Sequence, residues 1–192
     1  MLAVLLVAHA LSVPRPQSCR RLSSAYAWLV ASRLCYKRDV SIPVSVRTVR
    51  SMKLAAVRRH VAIRGIAATW KPALDKVWEF LRTHPGLHTG GHNVFLYHHP
   101  ARRDLPMDVD FGVEVSRAFE SAGEVYATET PPGEVAVAVH VGPYDRMKQT
   151  HDAMHAWREA NHRTFAGKSW EIYGDWSDDP SKLETTIMYL LK

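Results

Sequence analysis

Glu171 stands in the run Trp170-Glu171-Ile172-Tyr173, a carboxylate inside an otherwise apolar, strand-like stretch. Taken out of water, a carboxylate needs a counter-charge or hydrogen-bond donors. Such a group suits attraction of a small cationic or hydrogen-bond-donating molecule. Residues two apart on a strand share a face, so Tyr173 lies beside it. A slide of 76 residues sets Asn93-Val94-Phe95-Leu96-Tyr97 over Ser169-Trp170-Glu171-Ile172-Tyr173, with Phe95 on Glu171. Phe95, Tyr97 and Tyr173 would then line a concave surface around one carboxylate. Each aromatic face there adds cation–π attraction of about 0.5–2 kcal/mol. The plainer alternative has Glu171 pairing with a basic or hydroxyl neighbour and only holding the fold.

Other chemistry-bearing spacings are weaker. His151-Asp152-Ala153-Met154-His155 places two histidines one helical turn apart, as in a zinc-protease motif with Asp in place of Glu. The buried stripe of that helix runs through Met147, Met154 and Trp157. It leaves His151 at its edge and His155 pointing away, so both read as solvated surface. His98 and His99 point to opposite faces of a strand and chelate poorly. No metal is expected. No cofactor is expected either. Gly90-Gly91 reads as a turn, and Gly142-Pro143 cannot offer successive backbone N–H groups to a phosphate. No histidine stands out on the Glu171 face for a haem.

The elements that must position these residues follow from periodicity. Val57 to Ile66 reads as a strand. Thr69-Trp70-Lys71-Pro72 reads as a capped helix start, and Leu74, Val77, Trp78 and Leu81 give one buried helical face. Asn93–His98 and Met107–Val115 read as strands. In the latter, Val109, Phe111, Val113 and Val115 alternate with Asp108, Asp110, Gly112 and Glu114, one face on a core and the other towards something polar. Val135, Val137, Val139 and Val141 mark another strand, and Gly142-Pro143-Tyr144-Asp145 turns into a second helix. Trp170–Tyr173 and Leu183–Leu191 are the last strands. The fold class is α+β: two strand-helix-strand-strand units, antiparallel sheets, helices on one face and a central cleft. The parity of Val94, Leu96, Trp170 and Ile172 is expected to face the helices. The parity of Phe95, Tyr97, Glu171 and Tyr173 is expected on the opposite side, where the copies meet. Asp110, on the polar side of its strand, joins the candidate ligand contacts, as do Trp70 and Trp176 near element ends.

The chain of 192 residues is 46% hydrophobic and 23% charged, a globular composition. Its formal charge of +6 belongs to the first quarter: residues 1–51 carry eight Lys/Arg and one Asp, whereas 52–192 carry 17 Lys/Arg and 18 Asp/Glu. The larger part therefore lacks the basic stripe of a nucleic-acid binder, and no direct nucleic-acid contact is expected from it. Both cysteines, Cys19 and Cys35, lie in the first quarter, which fits a reducing, cytoplasmic setting. Leu2–Leu11 falls short of the roughly 20 apolar residues that span a bilayer, and it lacks the basic lead of an export signal. No membrane partner is expected. Residues 1–51 read as a disordered or spurious basic extension. Residues 52–192 read as the folded domain, with repeats at about 53–118 and 122–192.

Val139-His140-Val141-Gly142-Pro143-Tyr144, ahead of an amphipathic helix, resembles the H-x-G-P-Y signature of the GyrI-like small-molecule-binding family. Trp170-Glu171-Ile172-Tyr173, with Asp178-Asp179-Pro180 and Leu183-Glu184-Thr185, resembles that family's downstream pattern. The resemblance covers roughly residues 53–192. It implies a duplicated strand-helix-strand-strand (SHS2) module with a ligand cleft between copies. It also implies binding of small, often cationic and aromatic, compounds, as in the family's multidrug-sensing regulators. By that likeness Glu171 meets the ligand's positive charge inside a box of Phe95, Tyr97 and Tyr173, and Tyr144 matches the signature tyrosine. Many members are effector-binding halves of transcription regulators. Nothing in residues 1–51 reads as a DNA-binding module, so a stand-alone sensor or sequestering protein is expected, and a homodimer is left open. Another branch resembles hydrolases that open strained cyclopropane rings, which would make Glu171 the base. A binder is favoured over that hydrolase, and over an effector- or protein-binding regulator.

Overall fold

Alternating apolar residues make most of this domain strand, and two amphipathic segments make its helices. The structure, a computed structural model, describes residues 42–192 apart from Thr89 and Arg103. The apolar run Leu2–Leu11 and both cysteines lie outside the described residues. The order is β1 (Ser45–Val49), β2 (Lys53–Val61), α1 (Ile66–Thr83), β3 (Asn93–His98), β4 (Met107–Glu114) and β5 (Tyr126–Glu129), then β6 (Gly133–Val141), α2 (Met147–Ala160), β7 (Phe165–Tyr173) and β8 (Glu184–Leu191).

All eight strands join one antiparallel sheet, in the order β1-β6-β8-β7-β3-β4-β2-β5. The order is symmetric about its centre. β2-α1-β3-β4 and β6-α2-β7-β8 have the same element sequence, and β3 meets β7 in the middle. β1 and β2 lie near opposite ends of the order, yet three residues connect them. Such a connector spans at most about 14 Å. The sheet therefore curls until its ends approach. Its concave side is filled by Leu54, Val94, Leu96, Val135, Val137 and Trp170, an aliphatic core drawn from both halves.

Both helices lie on the outer face. α1 buries Ala73, Leu74, Val77, Phe80 and Leu81 against Ala55 and Val57 of β2 and Val109 and Phe111 of β4. α2 buries Met154 against Ala136 and Ala138 of β6 and Ile187 of β8. β2 and β4 approach closely where Gly112 faces Ala56, since a Cβ there would lie 2.8 Å from the Ala55 carbonyl oxygen.

Four expectations change. The folded unit starts before residue 52: Ser45–Val49 pairs with β6, and Val49 packs on the concave core. β5, which carried no clear alternation, forms a second edge strand on β2. The faces are exchanged. Val94, Leu96, Trp170 and Ile172 point into the curled sheet, while Phe95, Tyr97 and Tyr173 belong to the helix-covered side. The cause is the curl, which buries both faces of the central strands, so that neither parity is marked by polarity. The first helix also begins earlier than its expected cap. Thr69 lies inside α1, and its hydroxyl donates to the Gly65 carbonyl at 2.8 Å.

Candidate functional site

α1 packs chiefly on β2 and β4, and α2 on β6, so the outer face of β3, β7 and β8 lies between the two helices. Strand register fixes what stands there. Phe95 is opposite Glu171, Ile187 is opposite Glu171 on the other side, and Thr185 is opposite Tyr173. Phe95 touches Phe111 edge-on at 4.9 Å and Tyr173 at 4.7 Å, contacts worth about 0.5–1.5 kcal/mol each beyond burial.

Glu171 is 5% exposed. Its Oε2 accepts the Tyr97 hydroxyl at 2.7 Å and the Tyr173 hydroxyl at 2.6 Å. Its Oε1 accepts from His151 Nε2 at 3.1 Å, and His151 Nδ1 lies 3.0 Å from the Tyr189 hydroxyl. Desolvation, followed by the Glu171 charge, pushes both the Tyr97 and Tyr173 phenols well above their ordinary range. They therefore remain hydrogen-bond donors. Hydrogen bonds to a charged acceptor are the strong ones, and here they offset the cost of burying the carboxylate.

Two further rings stand at the rim. Trp70, near the start of α1, and Tyr144, in the turn before α2, are each 38% exposed. Trp70 lies 6.2 Å from Phe95, and Tyr144 meets Tyr173 edge-on at 5.5 Å. The turn carrying Tyr144 is pinned by buried His140, which donates from Nε2 to the Pro143 carbonyl at 3.1 Å and faces the Thr150 hydroxyl of α2 at 3.0 Å. The histidine of the signature thus positions its tyrosine.

Six of the eight residues predicted for the site come together: Glu171, Tyr173, Phe95, Tyr97, Tyr144 and Trp70. Two do not. Asp110 pairs in register with Leu96, which places it on the concave side. There it is fully buried and held by Arg58 at 2.7 and 2.9 Å, His98 at 2.8 Å and Tyr126 at 2.5 Å. Desolvation raises the Asp110 carboxyl, but these hydrogen bonds outweigh it and hold the group well below the usual carboxylate range. Trp176 is 76% exposed and donates to Asp178 at 3.3 Å, outside the ring cluster.

The two histidines read as solvated surface lie on the site side of α2. His151 bonds Glu171, and His155 meets Tyr189 edge-on at 5.4 Å. Met147, His151 and Met154 are spaced i, i+4, i+7, so the helical period did contain the signal. Tyr189 joins them because it sits opposite Ser169 on the same face of β8. Among the described residues no group of three or more His, Cys, Asp or Glu side chains is arranged to hold a metal ion.

The rings close over Glu171, and open space lies elsewhere. A hollow of about 420 Å³ is bordered by Ile172, Asp175, Lys182 and Glu184, and a smaller one of about 180 Å³ by Leu54, Val115 and Arg117. In both, the acidic side chains stand in solvent rather than against rings.

A curled antiparallel sheet with two helices framing a ring-enclosed carboxylate is the frame of a ligand-binding domain. The chain matches the GyrI-like small molecule binding domain over residues 42–192, and it belongs to that family. No curated protein matches it significantly. Among solved structures it resembles EcmrR in an EcmrR–DNA complex, with TM-score 0.69 and 20% identity over 81% of this chain; it spans 59% of that chain's length. The C-terminal domain of EcmrR alone gives TM-score 0.66 at 20% identity, covering 79% of this chain and 98% of that one. SAV2435 bound to tetraphenylphosphonium gives TM-score 0.62 at 16% identity, covering 79% and 94%. At such identities the likeness is one of fold. No helix among the described residues is long and apolar enough to cross a membrane.

Proposed function

We propose that the Glu171 face binds a small, lipophilic or aromatic organic cation, and that the domain acts as a cytoplasmic sensor or sequestering module. One observation carries this reading. Glu171 is buried, yet its polar partners are two phenols and an imidazole, none of them a permanent cation. Its negative charge is solvated by dipoles and available to a guest. Three donors already occupy its oxygens, so the carboxylate offers a field more than a free acceptor. Cations without N–H groups, such as quaternary ammonium or phosphonium ions, suit that field, with Trp70, Phe95, Tyr144 and Tyr173 as π-faces. Membership of a small-molecule-binding family supports the reading. So does the chemistry of tetraphenylphosphonium, a lipophilic aromatic cation held by a protein of the same fold. Trp70 and Tyr144, each 38% exposed, are the rings through which a guest meets the site from solvent.

Titration with tetraphenylphosphonium, followed by tryptophan fluorescence, tests it. Glu171→Gln should weaken this cation by about tenfold or more, a loss of about 1.4 kcal/mol. Uncharged triphenylphosphine oxide should change by less than about twofold. Equal losses for both would sink the charge-recognition idea. A second reading takes Glu171 as a general base, favoured by its contact with His151, an acid–base pair inside one enclosure. Turnover of a strained electrophile, abolished in Glu171→Gln while binding survives, would select it.

A further inference from the structure

Of the three donors to Glu171, only His151 belongs to a residue type that gains and loses a proton between about pH 5 and 8. Its position allows it to do so without losing a contact. Nε2 must carry a proton to donate to the carboxylate. Nδ1 faces a hydroxyl, which both accepts and donates. Neutral His151 therefore accepts from Tyr189, and protonated His151 donates to it. The hydrogen-bond pattern around Glu171 is the same in both states, and only the charge differs. His151 also has access to water: its side chain is 25% exposed, against 6% for Glu171.

We infer that the proton of His151 and the positive charge of a bound guest are alternative partners of one carboxylate, so that guest binding expels a proton and mild acid expels the guest. This deepens the proposal that the Glu171 face takes a cation, and it rests on that proposal. An imidazolium on Oε1 neutralises the field that a guest would use, and it repels a second cation held between the same rings. Neutral imidazole leaves the field intact. Among the described residues, the groups around His151 include a single carboxylate inside the enclosure. β7 contributes Glu171 and Tyr173, β3 contributes Tyr97, the residue after β3 is His99, which stacks on Tyr189, and β8 contributes Tyr189. On its own helix, His155 meets Tyr189, while Asp152 is exposed and bonded to Lys148. Among the described residues, Glu171 is thus the carboxylate in that enclosure for which proton and guest compete.

Tetraphenylphosphonium is the probe, because its charge does not titrate. Its affinity should fall at least about threefold between pH 8.0 and pH 5.5 in the wild-type chain, a change read by fluorescence titration. In His151→Gln, which keeps an N–H donor without a titratable charge, the affinity should change less than about twofold over that range. Calorimetry near pH 6.5, in buffers of different ionisation enthalpy, should show proton release on binding to the wild type and none to His151→Gln. Equal pH dependence in the two proteins, or no proton release by the wild type, overturns the inference and leaves cation binding standing. Absence of binding by the wild type at every pH overturns the reading of the site, and the inference with it. A thermal melt of His151→Gln that matches the wild type excludes misfolding as the source of any difference.

Discussion

Phe95 and Glu171 stand directly opposite each other across the antiparallel β3–β7 pair. Val94 pairs with Ile172 and Leu96 with Trp170, so a local twofold axis of the two strands passes between them. The two residues that the 76-residue slide superimposes are therefore also neighbours in space. A symmetric pair of glutamates there would bring two like charges together, at a cost. Phenylalanine on one side leaves one charge and gives it a wall. The break in the internal likeness and the suspected site are the same place.

The Tyr97 hydroxyl is buried with its carboxylate partner, so Tyr97→Phe leaves Glu171 short of a donor. Urea denaturation should report a loss of about 1–3 kcal/mol. Tyr173→Phe should cost less, because Tyr173 is only half-buried whereas Tyr97 is buried.

Asp110 should matter for stability and not for ligand. Asp110→Ala strands Arg58, His98 and Tyr126, and should destabilise by about 3 kcal/mol. That is the lower end for a broken buried pair, because Arg58 keeps 43% of its side chain in water. Tetraphenylphosphonium affinity should not change. The pH dependence has a definite sign. The folded carboxyl titrates below its unfolded value, so its contribution is complete above about pH 4 and is lost as pH falls from there towards the folded value. Urea midpoints between pH 5 and pH 2 should therefore fall more steeply for the wild type than for Asp110→Ala.

A chain starting at Met52 lacks β1. That uncovers the β6 edge and removes Val49 from the concave core. Compared with a chain starting at residue 42, it should melt about 4–8 °C lower, the equivalent of about 2 kcal/mol in a domain of this size. It should also aggregate more readily through the open edge. Equal melting temperatures would show that β1 adds nothing to the fold.

Local pattern by itself determined six of the eight strands, the two amphipathic helices, their repeated order and the oddity of a carboxylate at residue 171. Period 2, period 3.6 and turn residues are properties of neighbouring residues. Tertiary structure decided the rest. Whether Phe95 and Tyr97 look at the helices or away from them depends on the curl of the sheet, which buries both faces of β3 and β7 and so erases the polarity that would distinguish them. Asp110 and Glu171 are both acidic residues on strands, and only register reveals that they lie on opposite faces. His151 reaches Glu171 across 20 residues of sequence, because α2 is laid beside the strand that carries its partner. Pairing, curvature and helix placement are long-range outcomes of packing the whole chain, and no local window of residues encodes them.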